Sequence, residues 1–187
     1  MEQLDQGQPM YRVVRQRFTN PWWFNSDGSG RFDLDPPEGT CYLAFDSITA
    51  ILEVLGPRLG GPISRQFLTH RRLHVVSLPK PVRAASTIDR AGVGYGLTAE
   101  IATHVPYDLT RRWAAGWREA GFDGIVFRAR HDPKGERNLA LFGRSGPRTA
   151  WEPGTRQTIG DELIARLEAE CGLEVLDVPR LDQLDLV

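Results

Sequence analysis

The sequence predicts an α+β fold, and three observations carry that reading. Strand-like and helix-like runs are mixed along the 187 residues, but the regular strand–helix alternation of a doubly wound parallel sheet is missing. Two apolar runs, 124–130 and 138–142, are joined by the polar stretch HDPKGER, a hairpin-type connection between antiparallel strands. No internal repeat or low-complexity segment interrupts the chain, whose length suits one domain.

Residues 1–9 are acidic and polar at first, lack the apolar core of a signal segment, and read as a flexible leader. A short strand is expected at 10–14. Residues 19–39 hold many Gly, Pro, Asn and Asp, which predicts a long ordered loop with turns. TCYLAF at 40–45 reads as a strand. Asp46 or Ser47 can cap the helix that follows. In that helix Ile48, Ile51, Leu52 and Leu55 recur at helical spacing, and Gly56 and Pro57 end it. A second helix is expected over 63–71, then a strand, LHVVSL at 73–78, stopped by Pro79. Residues 79–97 are loop-rich. Over 109–120 Leu109, Trp113, Trp117 and Ala120 stack on one helical face, with Arg111, Arg112, Arg118 and Glu119 mostly elsewhere. After the hairpin come a helix near 161–171 with Gly172 as its stop and a last short strand, LEVLDV. Residues 10–187 are thus read as one domain, with 144–187 as a C-terminal extension packed on it.

Hydrophobic residues make up 41% and charged residues 25% of the chain, as in ordinary soluble domains, and the length allows a core without disulfide or metal staples. The net charge is −1, so no direct nucleic-acid partner is expected. Abundant arginine balanced by acids better suits a pocket for a small phosphorylated ligand. Cys41 and Cys171 stand alone, with no metal-ligand spacing and no disulfide framework, and a reducing cytoplasm is the simple reading. No apolar run approaches the length of a membrane span.

Arg31, Tyr42 and Glu53 follow one another at intervals of 11 residues, a period that no regular element has. Arg31 follows GSG, where Gly30 lets backbone come close to a ligand, and a guanidinium beside exposed N–H groups makes a phosphate clamp. On residue types alone the simpler reading is a turn followed by a surface arginine. Tyr42 shares a strand face with Ala44, opposite Cys41, Leu43 and Phe45, and could stack on a planar ring or serve as a half-buried core residue. At about 100° per residue Glu53 and Thr49 fall opposite the helix's main apolar stripe. That face also carries Ala50 and Val54, so Glu53 there addresses a cleft or solvent. GVGYG at 92–96 lacks the lysine and the strand–helix setting of a phosphate loop. His70 and His74 lack the HExxH pattern, and no metal site is expected.

Taken together, MYRV at 10–13, GSGRFD at 28–33, CYLAFDSITAILEVLG at 41–56 and GFDGIVFRARHDPKGERNLALFG at 121–143 resemble the RES domain, a family named for an arginine, a glutamate and a serine. The resemblance runs from about residue 11 to residue 142. It implies a compact relative of the ADP-ribosyltransferase fold. It also implies the toxin of a bacterial toxin–antitoxin pair that consumes NAD by hydrolysis or phosphorolysis, with NAD as substrate and no tightly bound cofactor. The family's LYR arginine falls on Arg12, its GR arginine on Arg31, its tyrosine on Tyr42 and its glutamate on Glu53. The resemblance therefore implies catalytic roles for Glu53, Arg31 and Tyr42. It implies NAD binding by Arg12, Arg31, Tyr42, Gly30 and the position of Ala129. The family serine commonly sits in a YxSR strand; here the stretch is FRAR and the position is Ala129. A helix-turn-helix, Xre-type antitoxin is the implied partner, and self-association is left open. Two alternatives stay open as well: a mono-ADP-ribosyltransferase acting on a protein, and a catalytically silent binding module, for which Ala129 is the motive.

Overall fold

The computed structural model describes residues 1–177. Its frame is an eight-stranded sheet ordered β1-β7-β8-β9-β4-β2-β6-β11, antiparallel throughout except for the parallel pair β7–β8. The strands are β1 (Glu2–Leu4), β2 (Pro9–Arg15), β4 (Glu38–Ala44), β6 (Arg71–Ser77), β7 (Val82–Ser86), β8 (Gly124–Arg128), β9 (Arg137–Arg144) and β11 (Thr155–Thr158). Two small pairs complete the strands. β3 (Trp23–Phe24) pairs with β10 (Gly146–Pro147), and β5 (Ile63–Ser64) pairs in parallel with β12 (Val175–Leu176). The helices are α1 (Ser47–Leu55), α2 (Arg65–Thr69), α3 (Asp108–Glu119) and α4 (Asp161–Cys171). The α+β class is as the sequence predicts.

Side chains alternate across each strand, and the two sheet faces carry different covers. On one face Met10, Cys41, Leu43, Val126, Leu139 and Leu141 pack with Trp22, Phe24 and Trp151. Trp22 and Trp151 meet edge to face with centroids 5.0 Å apart. The other face is covered in two halves. Val13, Ala44 and Leu73 pack under α1 and α4, while Phe32, Ile125, Phe127, Ala140 and Phe142 pack under α3 and its preceding loop.

Asp46 caps α1 by accepting from the Ile48 and Thr49 N–H groups, and Gly56, at φ 42°, ends the helix. α1 is buried on several sides: Thr49 and Ala50 are buried along with Ile48, Ile51, Leu52 and Leu55. The helix is thus wedged between the sheet and its neighbours, and the face that carries Glu53 and Val54 is half-buried.

The structure departs from the sequence reading in four places. Residues 2–4 are not a flexible leader: β1 pairs with β7 and buries Leu4, because the edge of β7 offers unpaired backbone groups. The expected loop at 79–97 contains β7. Only 65–69 of the expected helix at 63–71 is helical. On α3 the buried residues are Thr110 and Ala114, while Trp113 and Trp117 are half-buried and Leu109 is exposed. Small side chains let that helix lie close on the sheet, and its tryptophans are displaced to the flank. The expected strand at 173–178 is found as β12, with Val178 outside the described residues. The part of the C-terminal extension beyond 177 also lies outside them.

Candidate functional site

The site begins as a break in the sheet. β2 makes seven registered pairs with β6, and β4 makes seven with β9, yet β2 and β4 share the single pair Tyr11↔Ala44. The strands splay from that point and open a cleft of about 300 Å³ between Tyr11, Val13, Tyr42 and Ala44, with Ala50, Glu53 and Val54 of α1 along one wall and Phe127 and Asn138 at its base. By strand alternation Tyr42, Phe127, Ala129 and Asn138 all belong to one sheet face.

Glu53 lies in this cleft, and its Oε1 accepts from the His131 backbone N–H at 3.1 Å. The segment that supplies this N–H is pinned to α1. Thr49 Oγ1 donates to Asp132 Oδ2 at 2.6 Å, and Asp132 Oδ1 accepts from the Lys134 N–H at 3.0 Å. Thr49 and Glu53, one helical turn apart, thus both hold the 131–134 turn.

Tyr42 enters from β4. Its hydroxyl donates to Asp33 Oδ1 at 2.9 Å and accepts from the Phe32 N–H at 2.8 Å. Asp33 Oδ2 in turn accepts from Gly30 N and Asn25 Nδ2. Burial pushes the Tyr42 hydroxyl well above the ordinary tyrosine value, and the neighbouring Asp33 adds to the rise. Burial likewise raises Asp33, partly offset by the hydrogen bonds from Gly30, Tyr42 and Asn25. Gly30 is needed for closeness. A Cβ there would sit 2.4 Å from Asp33 Oδ1 and 2.5 Å from the Tyr42 hydroxyl.

Arg31 is 7% exposed, far from the surface arginine its residue type suggests. One guanidinium nitrogen, Nη1, donates to the carbonyls of Ile101 at 3.0 Å and His104 at 2.9 Å, and the group lies over the Tyr107 ring at 4.8 Å. The other, Nη2, is buried with no hydrogen-bond partner among the described residues. Burial lowers the Arg31 pKa; Tyr107, Glu53 and Tyr42 oppose that, and Arg130 adds to it. Arg130 approaches the Tyr107 hydroxyl at 3.4 Å. Two guanidiniums therefore flank one tyrosine.

The structure does not bring Arg12's guanidinium to this group. Although Arg12 lines the cleft, its side chain lies on the opposite sheet face, where Nη1 donates to Pro21 O at 2.6 Å, to Trp23 O at 3.1 Å and to Cys41 Sγ at 2.7 Å. Those carbonyls belong to the segment that crosses the back of the split, so Arg12 ties it there. Ala129 is buried on the cleft-side face one residue beyond β8, its N–H bonded to Glu136 O at 2.8 Å. Asn138, Asp33, Tyr107 and Arg130 were not singled out from sequence. A usable signal existed for Asn138: in NLALF it is the polar residue on a strand face shared with Ala140 and Phe142.

The split sheet thus presents a concave cleft lined by the Glu53 carboxylate and by the rings of Tyr42 and Phe127, with the desolvated Arg31 close enough for its charge to interact with Glu53; concave, largely apolar clefts with a few polar groups are where small molecules bind. A family model described as RES domain matches residues 9–171. The chain belongs to the RES domain family. Among solved structures, a chain of the M. tuberculosis MbcT–MbcA toxin–antitoxin complex shares the fold. Its TM-score is 0.68 at 15% identity, covering 89% of this chain and 92% of that one. No curated protein matches the sequence. No helix among the described residues is long and apolar enough to cross a membrane.

Proposed function

We propose that the protein is the NAD-consuming toxin of a toxin–antitoxin pair and cleaves the bond between nicotinamide and ribose. The observation that carries this is the placement of Glu53 in a cleft with aromatic rings on its floor and the spare Arg31 Nη2 nearby. Family membership and the fold shared with a chain of a toxin–antitoxin complex support the same reading.

Breaking the nicotinamide–ribose bond develops positive charge at the ribose, as in glycoside hydrolysis. A carboxylate facing that carbon lowers the barrier. Glu53 is held for this by the His131 N–H on Oε1, and Oε2 remains to face the sugar or hold one of its hydroxyls. Nicotinamide departs as a neutral base carrying the bond's electron pair, so no strong general acid is required. Water then gives ADP-ribose and a proton, while phosphate gives the ribosyl phosphate. Arg31 Nη2 and Arg130 suit the pyrophosphate: their mutual repulsion is relieved by an anion. Arg12 acts from the far side of the sheet as a strut. Tyr42 stays neutral and shapes the pocket.

The test is nicotinamide release from NAD by the purified protein, in phosphate and in phosphate-free buffer, with Glu53→Ala as control. Glu53-dependent release supports the reading, and the buffer comparison separates hydrolysis from phosphorolysis. Release that Glu53→Ala leaves unchanged would remove Glu53 from the mechanism. A specific observation favours a second reading. Ala129 puts no hydroxyl on the cleft-side face, which fits a binding module; NAD binding without turnover is its signature.

A further inference from the structure

Asn138 is 4% exposed and lies at the base of the cleft, with its Oδ1 buried and unpartnered among the described residues. Leaving a buried acceptor unpaired is costly, and native proteins rarely do so without a reason. The position is fixed. Asn138 is the register partner of Phe127 on β8 and of Ala44 on β4, so its amide sits on the same face as Phe127 and Tyr42. Those two rings meet edge to face, with centroids 6.5 Å apart. The unpaired amide therefore borders an aromatic floor, and Glu53 stands on the wall above.

We infer that Asn138 is the residue that selects the base of the substrate, by pairing with the carboxamide of the nicotinamide ring; this rests on the NAD reading above. A primary amide offers one acceptor and two donors on a plane. The ring carboxamide offers the same set, so the two can form a cyclic pair in which the substrate N–H donates to Asn138 Oδ1 and Asn138 Nδ2 donates to the substrate carbonyl. The flat ring then lies beside Phe127, with its ribose bond toward Glu53. The same geometry rejects nicotinate, whose carboxylate has no N–H to give and repels Oδ1.

The experiment compares NAD with its deamido form, nicotinic acid adenine dinucleotide. Base release is measured for the wild-type protein, Asn138→Ala and Asn138→Asp, with kcat and KM resolved. Binding of both dinucleotides to Glu53→Gln and to its Asn138→Ala double variant is measured by calorimetry. The wild type is expected to prefer NAD by at least about tenfold in kcat/KM, since a site built around a hydrogen bond discriminates strongly against a ligand lacking it. Asn138→Ala should bring the ratio to within about twofold, chiefly by raising KM for NAD. Asn138→Asp keeps the acceptor and should retain the preference. A wild-type protein that releases both bases equally overturns the inference, and does so even if the variants fail to fold. So does an Asn138→Ala protein that keeps the wild-type ratio; Glu53-dependent release in that case leaves the NAD reading standing. Absence of both turnover and dinucleotide binding in every form removes the NAD reading and this inference together.

Discussion

The Tyr42 hydroxyl donates to Asp33 at 2.9 Å, and the same oxygen takes the Phe32 N–H. A strand residue of the cleft and the Gly30–Asp33 turn are thereby locked to each other. Because burial and the adjacent carboxylate both raise the Tyr42 pKa, the proton stays on the hydroxyl and the tyrosine acts as a strut. Tyr42→Phe removes both bonds and strips Asp33 of one donor. A loss of roughly 1–3 kcal/mol in stability is expected, the usual cost of an unpaired buried polar group. Urea unfolding measures it, and NAD turnover should fall with it because Arg31 is on the same turn.

Arg12 and Arg130 should separate cleanly in mutants. Arg12 bonds two carbonyls and a thiol on the far face, so Arg12→Ala is expected to cost about 1–3 kcal/mol of stability through the acceptors it abandons. Arg130 is exposed beside Tyr107. Arg130→Ala should leave the melting temperature unchanged and raise KM for NAD with little change in kcat. Paired melting curves and steady-state kinetics decide it. A KM effect from Arg12→Ala without loss of stability would instead give Arg12 the NAD-binding role that the family resemblance implies.

Much of this was legible in the sequence. The strands around 10–14, 40–45, 73–78, 124–130 and 138–142 announce themselves as apolar runs, and α1 by its Asp46 cap and Gly56 stop. The edge strands were not. β11, with the sequence TRQT and every residue exposed, owes its state to β6 alone, and strand propensity depends on such context. Glu53 facing a cleft was readable from the uncharged residues around it, since Ala50 and Val54 share its wall. The face on which Arg12 lies follows from alternation with Met10. That its guanidinium is spent on Pro21 and Trp23 depends on a loop path that no local pattern encodes. Asp33, Tyr107 and Arg130 likewise reach the site through register and loop closure.

His74 is fully buried on β6, on the same sheet face as Arg12. Its Nδ1–H donates to Pro153 O at 3.2 Å, which leaves Nε2 as an unpartnered acceptor among the described residues. Burial lowers its pKa below the usual histidine value, and Arg156, its cross-strand partner, and Arg12 lower it further, against the Pro153 bond. Between that lowered value and the unfolded value of about 6.5 the unfolded chain binds more protons than the folded one, so stability falls as pH drops. Melting temperatures from pH 7.5 to 5 should decline below about 6.5 in the wild type. His74→Gln, which keeps a donor for Pro153, should decline less over the same range. Parallel curves would mean that His74 is not the titrating group.

Ala129 offers the most direct gain-of-function test. It sits on the face shared by Phe127 and Tyr42, buried, with its backbone fixed by the bond to Glu136 O at 2.8 Å. A serine differs there by one oxygen, so the backbone bond and the packing of Phe127 are kept. The added hydroxyl supplies a donor and an acceptor on the cleft-side face. One extra hydrogen bond to a bound ligand is worth about 0.5–1.5 kcal/mol, so Ala129→Ser should raise kcat/KM for NAD by roughly 2- to 10-fold. Glu53→Ala in the same background should abolish the gain, since the hydroxyl orients a substrate on which Glu53 acts. A kcat/KM that stays at the wild-type value, with the melting temperature intact, would show that this position does not reach the ligand. The family serine would then be dispensable in this cleft, and the binding-module reading would lose its motive.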